Sequence, residues 1–334
     1  MKKSETFEAL RFHKIGGPEV LEFNEIEFVP PKGKEVVFKV EAFALNQADI
    51  LFINGYHYTV PEFPSRIGSE AVGQVVAVGE QVKNFRVGDR VTSIPFYTQK
   101  YLVQGEYATS LEEYLAEVPA NLNLAQATSF WMQFLTGYFA LFEVGKLKKG
   151  DVALIAAASS SAGQGAIQLA KEVGATVVAT TRSEAKREIL LQLGADIVLV
   201  GDSHEIGQKL IEAQVTGINL IFDPIAGSFC NQYLPHLAYG ASIIIYGLLS
   251  GEETLFPILE LVRNKAQIFG YSMFNHVNNL EDLERAKKYI LERINSGDLV
   301  PLVDKEFEFK DAVKAYKYML SNQQMGKIVV KINS

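Results

Sequence analysis

The chain has 334 residues, 48% of them hydrophobic, a length that exceeds one small core and implies two domains. Its formal net charge of −7 excludes binding to a phosphate backbone as the main activity, because that needs a basic surface. Cys230 is the one cysteine, which excludes a disulfide framework and a cysteine cluster for structural zinc.

The opening segment "MKKSETFEALRF" carries two lysines with no apolar run behind them, unlike a secretory signal. No stretch approaches the roughly 20 apolar residues that span a bilayer. A cytoplasmic protein with neither a membrane nor a nucleic-acid partner is expected. The first third is rich in β signals: "FEALRFHK", "LEFNEIEF" and "EVVFKVEAFAL", separated by "GGPEV" and "PPKGK" turns. From about Asn123 the rhythm changes. Apolar strands at 151–158, 175–181, 196–200, 218–225, 241–247 and 266–271 alternate with helical stretches such as Ala162–Val173 and Ser183–Leu193. That alternation predicts an α/β fold with a doubly wound, Rossmann-type parallel sheet covered on both faces. Beyond Ser272 the pattern changes again: a helix around Leu280–Ile294, "LVDKEFEF", the helix "KDAVKAYKYML" and a final strand "GKIVVKI". This tail is too short for a domain and is expected to rejoin the N-terminal β unit. The boundaries are therefore set at 1–124 with 272–334, and 125–271.

The segment Ile155–Lys171, "IAAASSSAGQGAIQLAK", stands where a dinucleotide fold keeps its glycine-rich loop. Of the three glycine positions, occupied here by Ala158, Ser160 and Gly163, only the last is glycine. An ordinary strand–helix connection would look similar. However, every residue from Ala156 to Gly163 is Ala, Ser or Gly, so nothing bulky shields a helix N-terminus from phosphate. Ser160, Ser161, Ala162 and Gly163 are the candidate pyrophosphate contacts, with serine hydroxyls donating where glycine would give backbone approach. The second strand then ends "VVATTRSEAKRE", where an NAD enzyme places an acid for the ribose 2′-hydroxyl. No acid stands at Thr180, Thr181 or Arg182. Instead Thr181, Arg182, Ser183 and Lys186, with Arg187 one residue on, offer polar and cationic groups that match a 2′-phosphate. The alternative is a solvated basic helix face. The reading favours NADP(H).

Taken together, "ALNQADILFINGY", "PSRIGSEAVGQVVAVGEQVKNFRVGDRV", "WMQFLTGYFAL", the Ser/Gly loop, "ADIVL", "DPIAG", "IIIYGLLSG" and "GKIVVKI" resemble the medium-chain dehydrogenase/reductases, within them the zinc-free quinone-oxidoreductase-like branch. The resemblance covers nearly the whole chain. It implies a GroES-like, mostly β catalytic domain, an inserted Rossmann cofactor domain, and a cleft for nicotinamide and substrate. Where zinc-dependent members carry Cys, His and Cys, this chain has Asn46, Ser69 and Met132, poor zinc donors, and no metal site is expected. The resemblance also places Asn46 near the nicotinamide ribose and substrate oxygen, and Thr136 beside the cofactor. It sets Tyr246, Gly247, Leu248 and Ser250 along the nicotinamide edge.

Tyr56 or His57 is the candidate donor to the reduced oxygen, with water as the alternative source. Leu51 and Ile53 depart from the Tyr and Arg usual in related reductases. Each residue also has a structural reading: Asn46 as a helix cap, Asp49 as a turn residue, Tyr56 and His57 as turn closers, Trp131 as core. The expected activity is metal-independent hydride transfer from NADPH to a quinone or an α,β-unsaturated carbonyl. The alternatives are an enoyl-thioester reductase, an alcohol dehydrogenase-like enzyme and a non-catalytic NADPH-binding protein. The apolar segment Ala241–Gly247, read as a sheet edge, is either covered by further chain or pairs across a two-fold axis in a homodimer.

Overall fold

The computed structural model describes residues 6–57 and 59–332. Alternating burial makes β1 (Thr6–Phe12) a two-faced strand, paired antiparallel with β2 (Glu22–Glu27). The ten-residue β3 (Glu35–Ala44) leads into a helix, Gln47–Ile53, and then to β4 (Ser65–Arg66), which closes on β1. β5 (Ala71–Val78), β6 (Arg90–Ser93), β7 (Tyr107–Leu111) and β8 (Leu115–Glu117) follow, all joined to β3 directly or in series.

Six further strands alternate with helices: β9 (Val152–Ile155), β10 (Thr176–Thr181), β11 (Ile197–Val200), β12 (Ile218–Asp223), β13 (Leu237–Ile245) and β14 (Gln267–Gly270). All pair in parallel, in the order β11-β10-β9-β12-β13-β14. This is the doubly wound arrangement that the alternation predicts. β9 ends at Ile155 rather than at 158, because Ala156–Ala158 already turn the chain. The helix expected over Ser183–Leu193 narrows to Arg187–Gln192 behind a short tighter turn. Ala241–Gly247 is not an edge: β13 sits between β12 and β14, so further chain covers it.

The chain returns in β15 (Val303–Glu308), the helix Ala312–Leu320 and β16 (Lys327–Lys331). β16 adds antiparallel to β3, completing a sheet ordered β15-β16-β3-β5-β6-β8 with β7 also on β3. Leu10, Phe12, Phe38, Phe43 and Tyr316 fill the core of this unit. Leu154, Val178, Ile221, Phe229 and Tyr233 fill that of the parallel-sheet unit.

The two compact units are Met1–Met132 with Val300–Ser334, and Gln133–Leu299. The division therefore lies at 132/133 and 299/300, not at 124/125 and 271/272. Helix Leu124–Thr128 stays with the first unit because Ala125 and Ala127 pack with Ala42, Ala44, Val72 and Val329. Helix Leu280–Ser296 stays with the second. Its Tyr289 ring lies 5.1 Å from Tyr138, and Arg293 Nε donates to Glu172 at 2.9 Å. Among the described residues no helix is long and apolar enough to cross a membrane.

Candidate functional site

Strands β9, β10, β12 and β13 run parallel, so the loops after them share one carboxyl edge of the sheet. In open α/β sheets that edge is where ligands bind. Ala156 N–H donates to Phe222 O (3.0 Å) and Ala158 N–H to Thr180 O (2.9 Å), pinning the small-residue loop between β12 and β10. Ala157 takes a left-handed backbone (φ +46°) to make the turn. Ser160 is the N-cap of helix Ser161–Glu172, its hydroxyl oxygen accepting the Gly163 N–H at 3.1 Å. No acid occupies the first turn, and the N–H groups of Ser161 and Ala162 have no partner among the described residues. Gly163 is required by packing: a Cβ there would lie 2.7 Å from Ala158 Cα and 2.8 Å from its carbonyl oxygen. The surviving glycine does the third job of such loops, close approach of helix to strand.

At the end of β10, Thr181 is buried and its Oγ1 accepts the Ser183 N–H at 3.4 Å. Arg182 is exposed and makes no ion pair or hydrogen bond among the described residues. Arg187 is drawn away, pairing with Glu184 and donating to Val198 O at 2.7 Å. Arg182 is thus the spare guanidinium, with Lys186 half-buried four residues on.

The loops after β12 and β13 are laced together by main-chain bonds. Tyr246, Leu249 and Ser250 N–H donate to Asp223, Pro224 and Ile225 O at 3.0, 2.9 and 3.1 Å. Gly247 is forced by this contact, since a Cβ would lie 2.7 Å from Pro224 O. Asp223 is fully buried and organises the turn, its Oδ1 accepting Ile225 and Ala226 N–H at 2.7 and 3.0 Å. Burial raises its carboxyl above the usual range. The Tyr246 ring stacks on Phe222 at 4.1 Å. Its hydroxyl is buried beside Ser160 without a hydrogen bond of ordinary geometry, and burial pushes its pKa far up. The Gln164 Oε1 is likewise buried and unpartnered. Leu248 is exposed, and the Ser250 hydroxyl accepts Glu252 N–H at 3.2 Å. Thr136, nearly buried, donates through Oγ1 to Met273 Sδ at 3.4 Å, and its carbonyl accepts from Tyr271 at 2.8 Å.

The other unit holds Asn46 in a buried polar cluster that sequence reasoning did not foresee. Asn46 precedes helix Gln47–Ile53, and the Asp49 carboxylate accepts its N–H at 2.9 Å. Lys327, the first residue of β16 and 1% exposed, donates through Nζ to Asn46 Oδ1 and Glu70 Oε2, both at 2.6 Å. Asn46 Nδ2 donates to Glu70 at 3.3 Å, and Met132 N–H to the other Glu70 oxygen at 3.0 Å. Tyr316 donates to Asp49 at 3.1 Å, and Gln104 Nε2 to Tyr316 Oη at 2.6 Å. Burial, outweighing the Asn46 and Tyr316 hydrogen bonds, raises the Asp49 carboxyl to about 7. Asp49 therefore does orient a turn, but as part of this cluster.

Tyr56 stands apart at 82% exposure. His57 is half-buried, its Nδ1 accepting the Thr59 N–H at 3.1 Å, and burial lowers its pKa, so the ring is neutral at pH 7. Trp131 is fully buried against Phe130, as a core residue would be.

Two family models match the chain: the alcohol dehydrogenase GroES-like domain over residues 32–126, and the zinc-binding dehydrogenase over residues 162–288. A probable quinone oxidoreductase of Leishmania amazonensis is 30% identical over 90% of this chain and 90% of its own length. A phenolphthiocerol/phthiocerol polyketide synthase component of Mycobacterium tuberculosis is 28% identical over 97% of this chain, which spans only 15% of that protein. Among solved structures, mycobacterial Rv1454c complexed with NADPH aligns at a TM-score of 0.87 and 26% identity, covering 97% of this chain and 99% of that one. With this fold, these loops and these matches, the chain belongs to the medium-chain dehydrogenase/reductase superfamily, in its quinone oxidoreductase-like branch.

Proposed function

We propose that the protein is an NADPH-dependent reductase of quinones or α,β-unsaturated carbonyls that works without a metal. The observation that carries this reading is the end of β10, where the unpaired Arg182 stands in place of the acid that would select NAD. Ser160, Ser161, Ala162 and Gly163 would hold the pyrophosphate at the helix N-terminus, while Thr181, Arg182, Ser183 and Lys186 would hold the 2′-phosphate. Thr136 and Tyr246–Ser250 would line the nicotinamide half. The unpartnered Tyr246 hydroxyl and Gln164 Oε1 fit a polar ligand on this edge. The chemistry supplied by the bound dinucleotide is hydride donation. The likeness to an NADPH complex supports the choice of cofactor.

A catalytic zinc does not fit the residues present. The corresponding donors are an amide, a hydroxyl and a thioether, and the two oxygens best placed to meet a cation already hold the Lys327 ammonium at 2.6 Å. The acceptor must then carry the incoming charge through its own conjugation, with hydrogen-bond donors at its oxygen. Asn46 is the residue held in place for that contact, and Tyr56 or His57 is the candidate proton donor. The reading places the protein in the cytoplasm.

It also makes it a homodimer joined along β14, where Leu255, Ile258, Leu259, Val262 and Ile268 are exposed on or beside the sheet's edge. A monomer mass at micromolar concentration would contradict the dimer. For the activity, oxidation of NADPH in the presence of 1,4-benzoquinone or a simple enone is expected, unchanged by a chelator. Tight NADPH binding with no turnover of either acceptor would leave a non-catalytic binding protein instead.

A further inference from the structure

We propose that a pocket on the small sheet of β1, β2 and β4 binds a small oxyanion, a carboxylate or a phosphate, between Arg11 and Arg66. This inference is independent of the reductase reading. The two arginines are direct cross-strand partners in the β1–β4 pairing. Like charges placed opposite each other in a sheet oppose its formation. Neither guanidinium forms an ion pair among the described residues. Glu22 faces Arg11 from β2, yet makes no ion pair with it.

Each arginine spends one hydrogen bond on a carbonyl, Arg11 on Pro64 and Arg66 on Tyr107, both at 2.9 Å. Arg66 also lies 5.6 Å from the Phe7 ring, a weak attraction for a cation. The Nε atoms of both are buried and unpartnered, as is the Gln99 Oε1 beside them. A guanidinium carries five N–H donors, so most of the donor capacity of this pair is unspent. Burial, then the neighbouring Arg11 charge, lowers Arg66 to about 10.

The cavity these side chains line has a volume of about 380 Å³, and its wall includes Lys100 and the Glu62 carboxylate. With Lys100 paired to Glu35, the two unpaired arginines against the one Glu62 carboxylate leave it electropositive. That pairing already neutralises Lys100, whereas Glu62 forms no ion pair among the described residues, which leaves the two arginines as the groups to be satisfied. Paired, planar, uncompensated forks are the arrangement that recognises a carboxylate or a phosphate.

The test is calorimetric titration of inorganic phosphate and of malonate at constant ionic strength set with chloride. It is run on the Arg182→Ala/Lys186→Ala chain, which removes the 2′-phosphate cations; an anion held instead at the loop of residues 160–163 is told apart because its binding survives Arg11→Gln with Arg66→Gln. One anion per chain is expected, with affinity falling at least about tenfold on adding Arg11→Gln and Arg66→Gln. Binding of phosphate alone would identify a phosphate site, and binding of both a general oxyanion site. Failure to bind either, or equal affinity in the arginine variant, would overturn the proposal. Melting in anion-free buffer guards against a folding defect. Removing a like-charge pair should leave the melting temperature equal or higher, and a clear fall would make the pair structural and overturn the proposal too.

Discussion

The two regions that carry the candidate chemistry are built by opposite means. The carboxyl edge of the parallel sheet is made of main chain and small residues: an acid-free helix N-terminus, a glycine that packs on Ala158, and a ladder of N–H groups from Tyr246 to Ser250. The Asn46 cluster is made of long side chains brought from distant parts of the sequence, with Lys327 meeting a carboxylate 257 residues away. The first kind of site tolerates side-chain variation and depends on backbone approach. The second depends on charge balance in a dry interior.

The sharpest way to break the comparison is to remove the charge balance. Lys327→Met leaves Glu70 buried without its counter-ion and should cost about 3–5 kcal/mol of stability in chemical denaturation. Adding Glu70→Gln should restore a large part of that loss. A single variant as stable as the parent would show the pair to be dispensable.

A smaller effect tests Asp49. Its carboxyl is held near 7 in the folded chain, above the roughly 4 of an unfolded aspartate, so the native state keeps a proton that the unfolded chain releases. That stabilisation is complete below the unfolded value and disappears as pH rises through 7. Relative to Asp49→Asn, the parent should therefore lose about 2.5 kcal/mol between pH 5 and pH 8. Parallel curves for the two chains would contradict the burial argument.

On the sheet edge the corresponding test is steric. Gly163→Ala puts a methyl 2.7 Å from Ala158 Cα, so the helix or the loop must shift. A loss of about 1–2 kcal/mol is expected, with weaker nucleotide binding. Unchanged melting and unchanged affinity would show that the contact is slack.

The same contrast explains what could be read in the sequence. The parallel strands are visible as apolar runs because strands covered on both faces need them, and β14, largely exposed at the sheet edge, is the exception. The carboxyl-edge residues were visible because short local patterns, "AAASSSAG" and "TTRSEAK", carry the chemistry. Lys327 was not. In "GKIVVKI" it shares a strand face with Lys331, which pairs with Glu306 at the surface, and nothing local separates the buried lysine from the solvated one. The Arg11–Arg66 pairing was hidden for the same reason, since register between β1 and β4 is a property of the fold. Boundaries failed where packing overrode pattern, as in helix Leu280–Ser296, whose partners are Tyr138 and Glu172.

The account rests most directly on the spare cation at the end of β10. Fluorescence titration of NADPH and NADH into the parent and into Arg182→Ala/Lys186→Ala measures it. The account predicts a loss of at least about tenfold in NADPH affinity with NADH nearly unchanged, the signature of a lost 2′-phosphate contact. Equal loss for the two nucleotides, or none for NADPH, would contradict it.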